Sequence, residues 1–459
     1  MEREKLGSRL GFILLSAGCA IGIGNVWRFP YVVGDNGGGI FVLFYLIFLV
    51  IMGVPILCME FSVGRGSRCS AATAFRTLEK PGQKWHWHGY AAILGNYVLM
   101  FYYTTVAGWM LYYFCASLTG KFAGLDAEGV SGQFNSLMAE PLTMVFCTLT
   151  VVIIGFLVCG LGLQNGVERI TKGMMLALIV IMIILAVNSI LQPGAIEGLK
   201  FYLVPDLERV REKGLWSVIV EAMNQSFFTL SLGIGSMAIF GSYIDKDKSL
   251  LGESLTIAAL DTFVAIVAGL IIFPACFAYG VSPDSGPSLI FITLPNVFNS
   301  MPGGGIWGAL FFLFMTFAAF STVLAVFQNI VAMSSELWHW EKKQAIWRNI
   351  LIVGVCSLPC VLGFNLWSGF QPLGAGSSIL DLEDFLVSTI LLPGGSFVFL
   401  MFCISRRGWG WENFVAEVDQ GQGLRFPTRI RGYLTWILPV LMAFLFFNGL
   451  YSTFAGLQW

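Results

Sequence analysis

Ser16-Ala17-Gly18-Cys19-Ala20-Ile21-Gly22-Ile23-Gly24-Asn25-Val26-Trp27-Arg28-Phe29-Pro30 lies inside the first long apolar segment of the chain. Its glycines at 18, 22 and 24 fall where a membrane-crossing helix needs continuity. Glycine holds a helix poorly and lets backbone come close to a ligand. In lipid, broken backbone survives only where it is buried in protein or lines a cavity. The stretch therefore reads as a helix interrupted near the bilayer midplane, with close packing through small residues as the rival explanation. A second stretch decides between them. Asn224-Gln225-Ser226-Phe227-Phe228-Thr229-Leu230-Ser231-Leu232-Gly233-Ile234-Gly235-Ser236 repeats the Gly-Ile-Gly and again sets hydroxyls and small residues in mid-membrane. Paired interruptions at equivalent places in two halves are the sequence pointer to a secondary transporter's binding site.

The rest of the chain fits a polytopic membrane protein. It has 459 residues, 56% hydrophobic and 12% charged, with mean hydropathy +0.77. A soluble domain carries roughly 25% charged residues. Eleven apolar spans are predicted, near 9–33, 38–63, 88–119, 141–160, 166–191, 215–243, 250–280, 304–337, 345–366, 380–404 and 432–456. Each has the roughly 20 residues that cross the hydrocarbon. Spans 1 and 6 become the first helices of two inverted five-helix halves. The halves are residues 1–191 and 192–405, the second opening with an outer loop at 192–213. Residues 406–459 supply a connection and the last helix.

Placing the N-terminus inside puts twenty of the 26 Lys and Arg residues in inner segments. This bias sets orientation and predicts an outer C-terminus in a cell's inner (plasma) membrane. No cleavable signal peptide is expected, because the first span is too long. There is no GxxxxGK[ST] loop, so transport driven by ATP bound to this chain is excluded. Nothing calls for a nucleic-acid partner or an obligatory protein partner; the partners implied are the lipid bilayer, a small solute and its coupling ion. The ten cysteines form no CxxC pair and read as buried free thiols. His86, His88 and His339 stand beside tryptophans at span ends, as in an interfacial aromatic belt.

Asp261 lies in the middle of span 7, where a carboxylate is costly unless paired, protonated or bound to a cation. Ser321-Thr322 in span 8 can bond back to its own helix, or complete an oxygen shell for a hard cation beside carbonyls freed from span 1. Glu60 in span 2 is placed to anchor an unwound segment. Glu221 opens span 6, where an acid near a helix N-terminus is favourable.

Arg9-Leu10-Gly11, Gly24-Asn25-Val26-Trp27-Arg28-Phe29-Pro30-Tyr31, Asn36-Gly37-Gly38-Gly39, Phe228-Thr229-Leu230-Ser231-Leu232-Gly233, Gly166-Val167-Glu168-Arg169 and Leu380-Asp381-Leu382-Glu383-Asp384 resemble, in order, the neurotransmitter:sodium symporters. The resemblance covers essentially the whole chain and is nearest to the bacterial, amino-acid-transporting branch. It implies two sodium sites. The first uses Ala20, Asn25, Thr229 and Asp261, completed by the substrate carboxylate. The second uses carbonyls of Gly18, Ile21 and Ala318 with hydroxyls of Ser321 and Thr322. The substrate then lies against Cys19, Ala20, Gly24, Leu99, Tyr103, Phe228, Thr229, Ser231, Ile234, Thr322 and Val326. Arg28 and Asp384, with Gln225 nearby, form the outer gate; Arg3 and Glu336, with Tyr243, close the inner side.

The chain departs from the pattern at several places. The position of Asp261 is commonly asparagine, and a serine found one turn later in chloride-dependent members is Ala265. A fixed carboxylate here stands in for chloride. Leu176 replaces a proline, and the inner tryptophan expected near Leu6 is absent. Amine transporters carry an aspartate where this chain has Gly22, so the expected substrate is a neutral, largely hydrophobic L-amino acid. A sodium-conducting channel and a non-transporting sensor are the rival functions. An enzyme is not expected.

Overall fold

The computed structural model describes residues 6–280 and 289–455. Among these the chain is helical, with a single isolated bridge between Lys248 and Gln422. The membrane segments are α1 (Arg9–Ala20), α2 (Gly24–Asp35), α3 (Gly39–Ser67), α4 (Trp87–Leu118), α5 (Pro141–Gly160) and α6 (Leu163–Ile190). They continue as α7 (Leu215–Phe228), α8 (Ser236–Tyr243), α9 (Leu250–Ala278), α10 (Gly304–Trp338), α11 (Lys342–Leu362), α12 (Ile379–Ile404) and α13 (Thr428–Ala455). Among the described residues nine helices are long and apolar enough to cross a membrane, or ten when α1 and α2, bent by 56°, count as one span. The predicted span 215–243 is divided between α7 and α8, each too short to cross alone.

The bundle is arranged as lipid solvent demands. Large apolar side chains such as Leu142 and Phe146 are exposed on its outside, while Asn25, Glu60, Asn96 and Asp261 are fully buried within. In hydrocarbon, polar side chains belong where protein partners satisfy them. Glycine brings particular backbones together. A Cβ at Gly64 would overlap the Ala238 carbonyl, and one at Gly241 would overlap the Phe61 carbonyl, so α3 and α8 touch backbone to backbone. Leu176, at the place of the missing proline, is an exposed residue within the unbroken helix Arg169–Ile190. All ten cysteines are free. His88 does not join an interfacial belt; its ring turns inward between Phe75 and Phe399.

Candidate functional site

The two interruptions face each other in the centre of the bundle. At the first, α1 ends at Ala20 and Ile21 turns extended (φ −72°, ψ 94°) before the helix resumes at Gly24. The glycines are required by proximity. A Cβ at Gly22 would collide with the Tyr103 hydroxyl and stand 2.6 Å from Thr322 Oγ1; one at Gly24 would lie 2.8 Å from the Phe228 ring. The freed amides find side chains: Ile23 N donates to the Tyr103 hydroxyl at 2.9 Å and Gly22 N to Asn25 Oδ1 at 3.4 Å.

The freed carbonyls turn toward α10. Thr322 Oγ1 lies 3.2 Å from the Gly18 carbonyl, 3.5 Å from that of Cys19 and 3.3 Å from that of Ile21. Ser321 Oγ lies 3.4 Å from the Ile21 carbonyl and 2.9 Å from that of Ala318. Five oxygens drawn from α1 and α10, those of Gly18, Ile21, Ala318, Ser321 and Thr322, thus converge in one buried spot.

At the second interruption, Thr229–Gly235, the chain visits left-handed backbone at Ser231 (φ 51°), Gly233 (φ 106°) and Gly235 (φ 72°). A helix cannot pass through such residues, and only glycine does so without strain. The turn is held from outside. The Glu60 carboxylate of α3 accepts from Gly233 N, and from Met237 N at 3.3 Å. Asn96 Nδ2 of α4 donates to the Ile234 carbonyl at 2.8 Å. Ser231 Oγ reaches the Cys19 carbonyl at 3.5 Å and so ties the two breaks together.

Asp261 projects from α9 between them. Its Oδ1 accepts from Asn25 Nδ2 and its Oδ2 from Thr229 Oγ1, both at 2.8 Å. Asn25 Nδ2 also lies 3.2 Å from Thr229 Oγ1. Asn25, Thr229 and Asp261 are fully or almost fully buried, and Ala20 ends α1 just before them. Around this centre Cys19, Leu99, Tyr103, Ile234, Thr322 and Val326 are buried, and Phe228 and Ser231 are half-buried. The α1–α10 cluster is built of oxygen, the donor a hard cation prefers; the Asp261 cluster sets carboxylate and hydroxyl oxygens around the Asn25 amide nitrogen. Among the described residues no group of three His, Cys, Asp or Glu side chains could hold a transition metal.

The gate residues are arranged differently from the sequence expectation. The Arg28 guanidinium does not meet Asp384; it stacks over the Phe228 ring at 4.2 Å. Asp384 accepts from the Tyr102 hydroxyl at 3.0 Å and from Ser388 Oγ at 2.7 Å. A planar cation gains from an aromatic face, and the carboxylate is already satisfied. Gln225 is buried with neither amide atom hydrogen-bonded. At the other end Gln328 Nε2 donates to the Tyr243 hydroxyl at 3.2 Å. Glu336 accepts from Ser70 Oγ at 2.7 Å, from Ser70 N at 3.1 Å and from Thr73 Oγ1. Arg3 falls outside the described residues. Glu168 clamps the approach to α1, accepting from Gly7 N at 2.7 Å and Ser8 Oγ at 3.0 Å.

Two polar residues escape a reading of the sequence. Tyr45 of α3 places its hydroxyl 3.5 Å from Thr229 Oγ1, beside Asp261. Asn96 holds the second break. A lone asparagine in a long apolar span is a signal that can be read; a tyrosine among phenylalanines is not.

This geometry agrees with what the chain resembles. It matches the sequence profile of the Sodium:neurotransmitter symporter family over residues 3–135 and 133–455. It is 31% identical over 446 residues to an uncharacterized sodium-dependent transporter of Bacillus subtilis, YhdH, covering 96% of each chain. It is 28% identical to the sodium-dependent serotonin transporter of Drosophila melanogaster, over 97% of this chain and 76% of that one. Among solved structures, that of MhsT in complex with L-phenylalanine superposes with a TM-score of 0.87 at 36% identity, covering 97% of this chain and all of the other. These relatives are transporters rather than enzymes. The chain belongs to the sodium:neurotransmitter symporter family.

Proposed function

We propose that this chain imports a neutral, largely hydrophobic L-amino acid together with sodium, by alternating access and without chloride. The observation that carries the reading is the pair of buried polar clusters at the broken helices, one all oxygen and one centred on a fixed carboxylate. In this reading Ala20, Asn25, Thr229 and Asp261 hold one sodium ion and the substrate carboxylate completes its shell. The oxygens of Gly18, Ile21, Ala318, Ser321 and Thr322 hold a second. The substrate carboxylate approaches the freed amides near Gly22 and the Tyr103 hydroxyl. Its side chain lies among Leu99, Phe228, Ile234 and Val326, where a charged group would be costly to desolvate.

In this reading α1 with α2 and α7 with α8 each make one span, giving eleven, divided into halves at 1–191 and 192–405, with the N-terminus cytoplasmic as the Lys and Arg bias indicates. Arg28, Gln225 and Asp384 guard the outer path. Tyr243 and Glu336, with Arg3, guard the inner one. Because Thr322 Oγ1 already stands 3.2–3.5 Å from three α1 carbonyls, a cation among them would replace bonds the hydroxyl otherwise makes itself.

The test is uptake of labelled amino acids into proteoliposomes with and without a sodium gradient. Uptake is expected only with the gradient. Thr322→Val and Asn25→Leu each remove an oxygen ligand and are expected to raise the sodium concentration for half-maximal uptake by at least about tenfold, the effect of losing one charge-assisted contact. Unchanged sodium dependence in both variants would refute the ion-site assignment. Sodium flux without any substrate would support the channel reading instead.

A further inference from the structure

Leu99 and Tyr103 on α4, with Thr322 and Val326 on α10, flank the proposed substrate site. Helical periodicity extends each face by one polar residue. Asn96 lies three residues before Leu99 and seven before Tyr103; Asn329 lies three after Val326 and seven after Thr322. These offsets share one face of a helix.

The two rows meet at both ends. At one end Tyr103 and Thr322 both stand against Gly22. At the other, Asn329 Nδ2 donates to Asn96 Oδ1 at 2.8 Å. Seven residues of helix separate the ends, about 10 Å, the span of an amino acid lying with its carboxylate at Gly22 and an aromatic ring along Leu99 and Val326. The deep end is therefore closed by a polar bridge. Asn96 also holds the Ile234 carbonyl at 2.8 Å, and Ser236 Oγ reaches Asn96 Oδ1 at 3.4 Å.

The bridge leaves one atom over. Asn329 is fully buried, and its Oδ1 has no hydrogen-bond partner. Asn96 has spent its amide hydrogens on the Ala92 and Ile234 carbonyls. A buried acceptor without a partner is uncommon and costly, and calls for a donor.

We infer that Asn329 is a specificity-determining residue whose Oδ1 accepts a hydrogen bond from the tip of the substrate's ring. The favoured substrate is then an aromatic amino acid with a donor at the distal end of its ring, tyrosine, over phenylalanine, which has none, and tryptophan, whose N–H lies on the nearer five-membered ring. This rests on the amino-acid reading above. An unmet acceptor discriminates against a substrate lacking the donor more strongly than a missing methylene does.

The experiment uses the full chain in proteoliposomes with an inward sodium gradient. Uptake of labelled phenylalanine is competed by tyrosine, O-methyltyrosine and unlabelled phenylalanine. In the parent, tyrosine is expected to inhibit at concentrations at least about tenfold below phenylalanine and O-methyltyrosine. In Asn329→Leu the ratio of tyrosine to phenylalanine inhibition is expected to collapse toward unity, whatever the absolute uptake. O-Methyltyrosine tests the same donor without altering the protein. Equal inhibition by tyrosine and phenylalanine in the parent overturns the inference, as does a preference that survives Asn329→Leu. Sodium-driven phenylalanine uptake without the tyrosine preference overturns this inference alone. Absence of sodium-driven uptake of any amino acid overturns the proposed function with it.

Discussion

Asp261→Asn should abolish sodium-driven uptake, and adding Ala265→Ser should restore part of it only in chloride. On the proposed function, two sodium ions and a zwitterionic substrate would bring two positive charges into the bundle. Asp261 is fully buried and already bonded to Asn25 and Thr229 at 2.8 Å. A unit charge about 4 Å from a cation is worth about 4 kcal/mol at an effective dielectric near 20. Removing it should weaken substrate-coupled sodium binding by at least about a hundredfold, at the usual tenfold per 1.4 kcal/mol. Ala265 lies one turn beyond Asp261 on α9 and is fully buried, so a serine hydroxyl there would stand where an anion could be held. The comparison is uptake in sodium gluconate against sodium chloride for the parent, the single variant and the double variant. Strong chloride stimulation of the parent would refute the idea.

Glu60→Ala should cost both stability and transport. Glu60 is fully buried and its two oxygens take the amides of Gly233 and Met237. Each orphaned buried amide costs about 1–3 kcal/mol; Gly233 belongs to the turn that carries Thr229 and Ser231, and Met237 to the first turn of α8 that follows it. Glu60→Gln keeps one acceptor and turns a donor toward the other amide, so its defect should be intermediate. The checks are the midpoint of thermal unfolding in detergent and uptake in proteoliposomes. An alanine variant with an unchanged midpoint and unchanged uptake would show that the turn holds itself.

Which parts of the site can be read from the sequence follows from what lipid forbids. Gly22, Gly24, Gly233 and Gly235 announce the breaks because the same Gly-Ile-Gly recurs in two spans, which close packing alone does not call for. Asp261, Ser321 and Thr322 announce themselves because a polar group there needs a partner. Hydropathy alone takes 215–243 for one continuous span, since it is blind to the positive φ of Ser231, Gly233 and Gly235. The partners of Glu60, Asn96 and Tyr45 depend on which helices are neighbours, and that is set by packing. The outer pair of Arg28 and Asp384 shows a further limit. A long cationic side chain has several partners within reach, and the one it takes, here Phe228, varies with the arrangement of its surroundings.

The two breaks are fastened very differently. α8 is pinned by Glu60 and Asn96 and lies backbone to backbone against α3 through Gly64 and Gly241. α1 is fastened at its ends: Glu168 grips the residues before it, and the hydroxyls of Ser321 and Thr322 meet its last carbonyls. Local opening free energies follow such fastening. The amide hydrogens of α8 should therefore exchange with solvent deuterium only on large-scale opening. Those of α1 should exchange sooner, and more slowly once sodium is added. On the proposed ion site, sodium would then act as a thermodynamic brake on one half-helix alone.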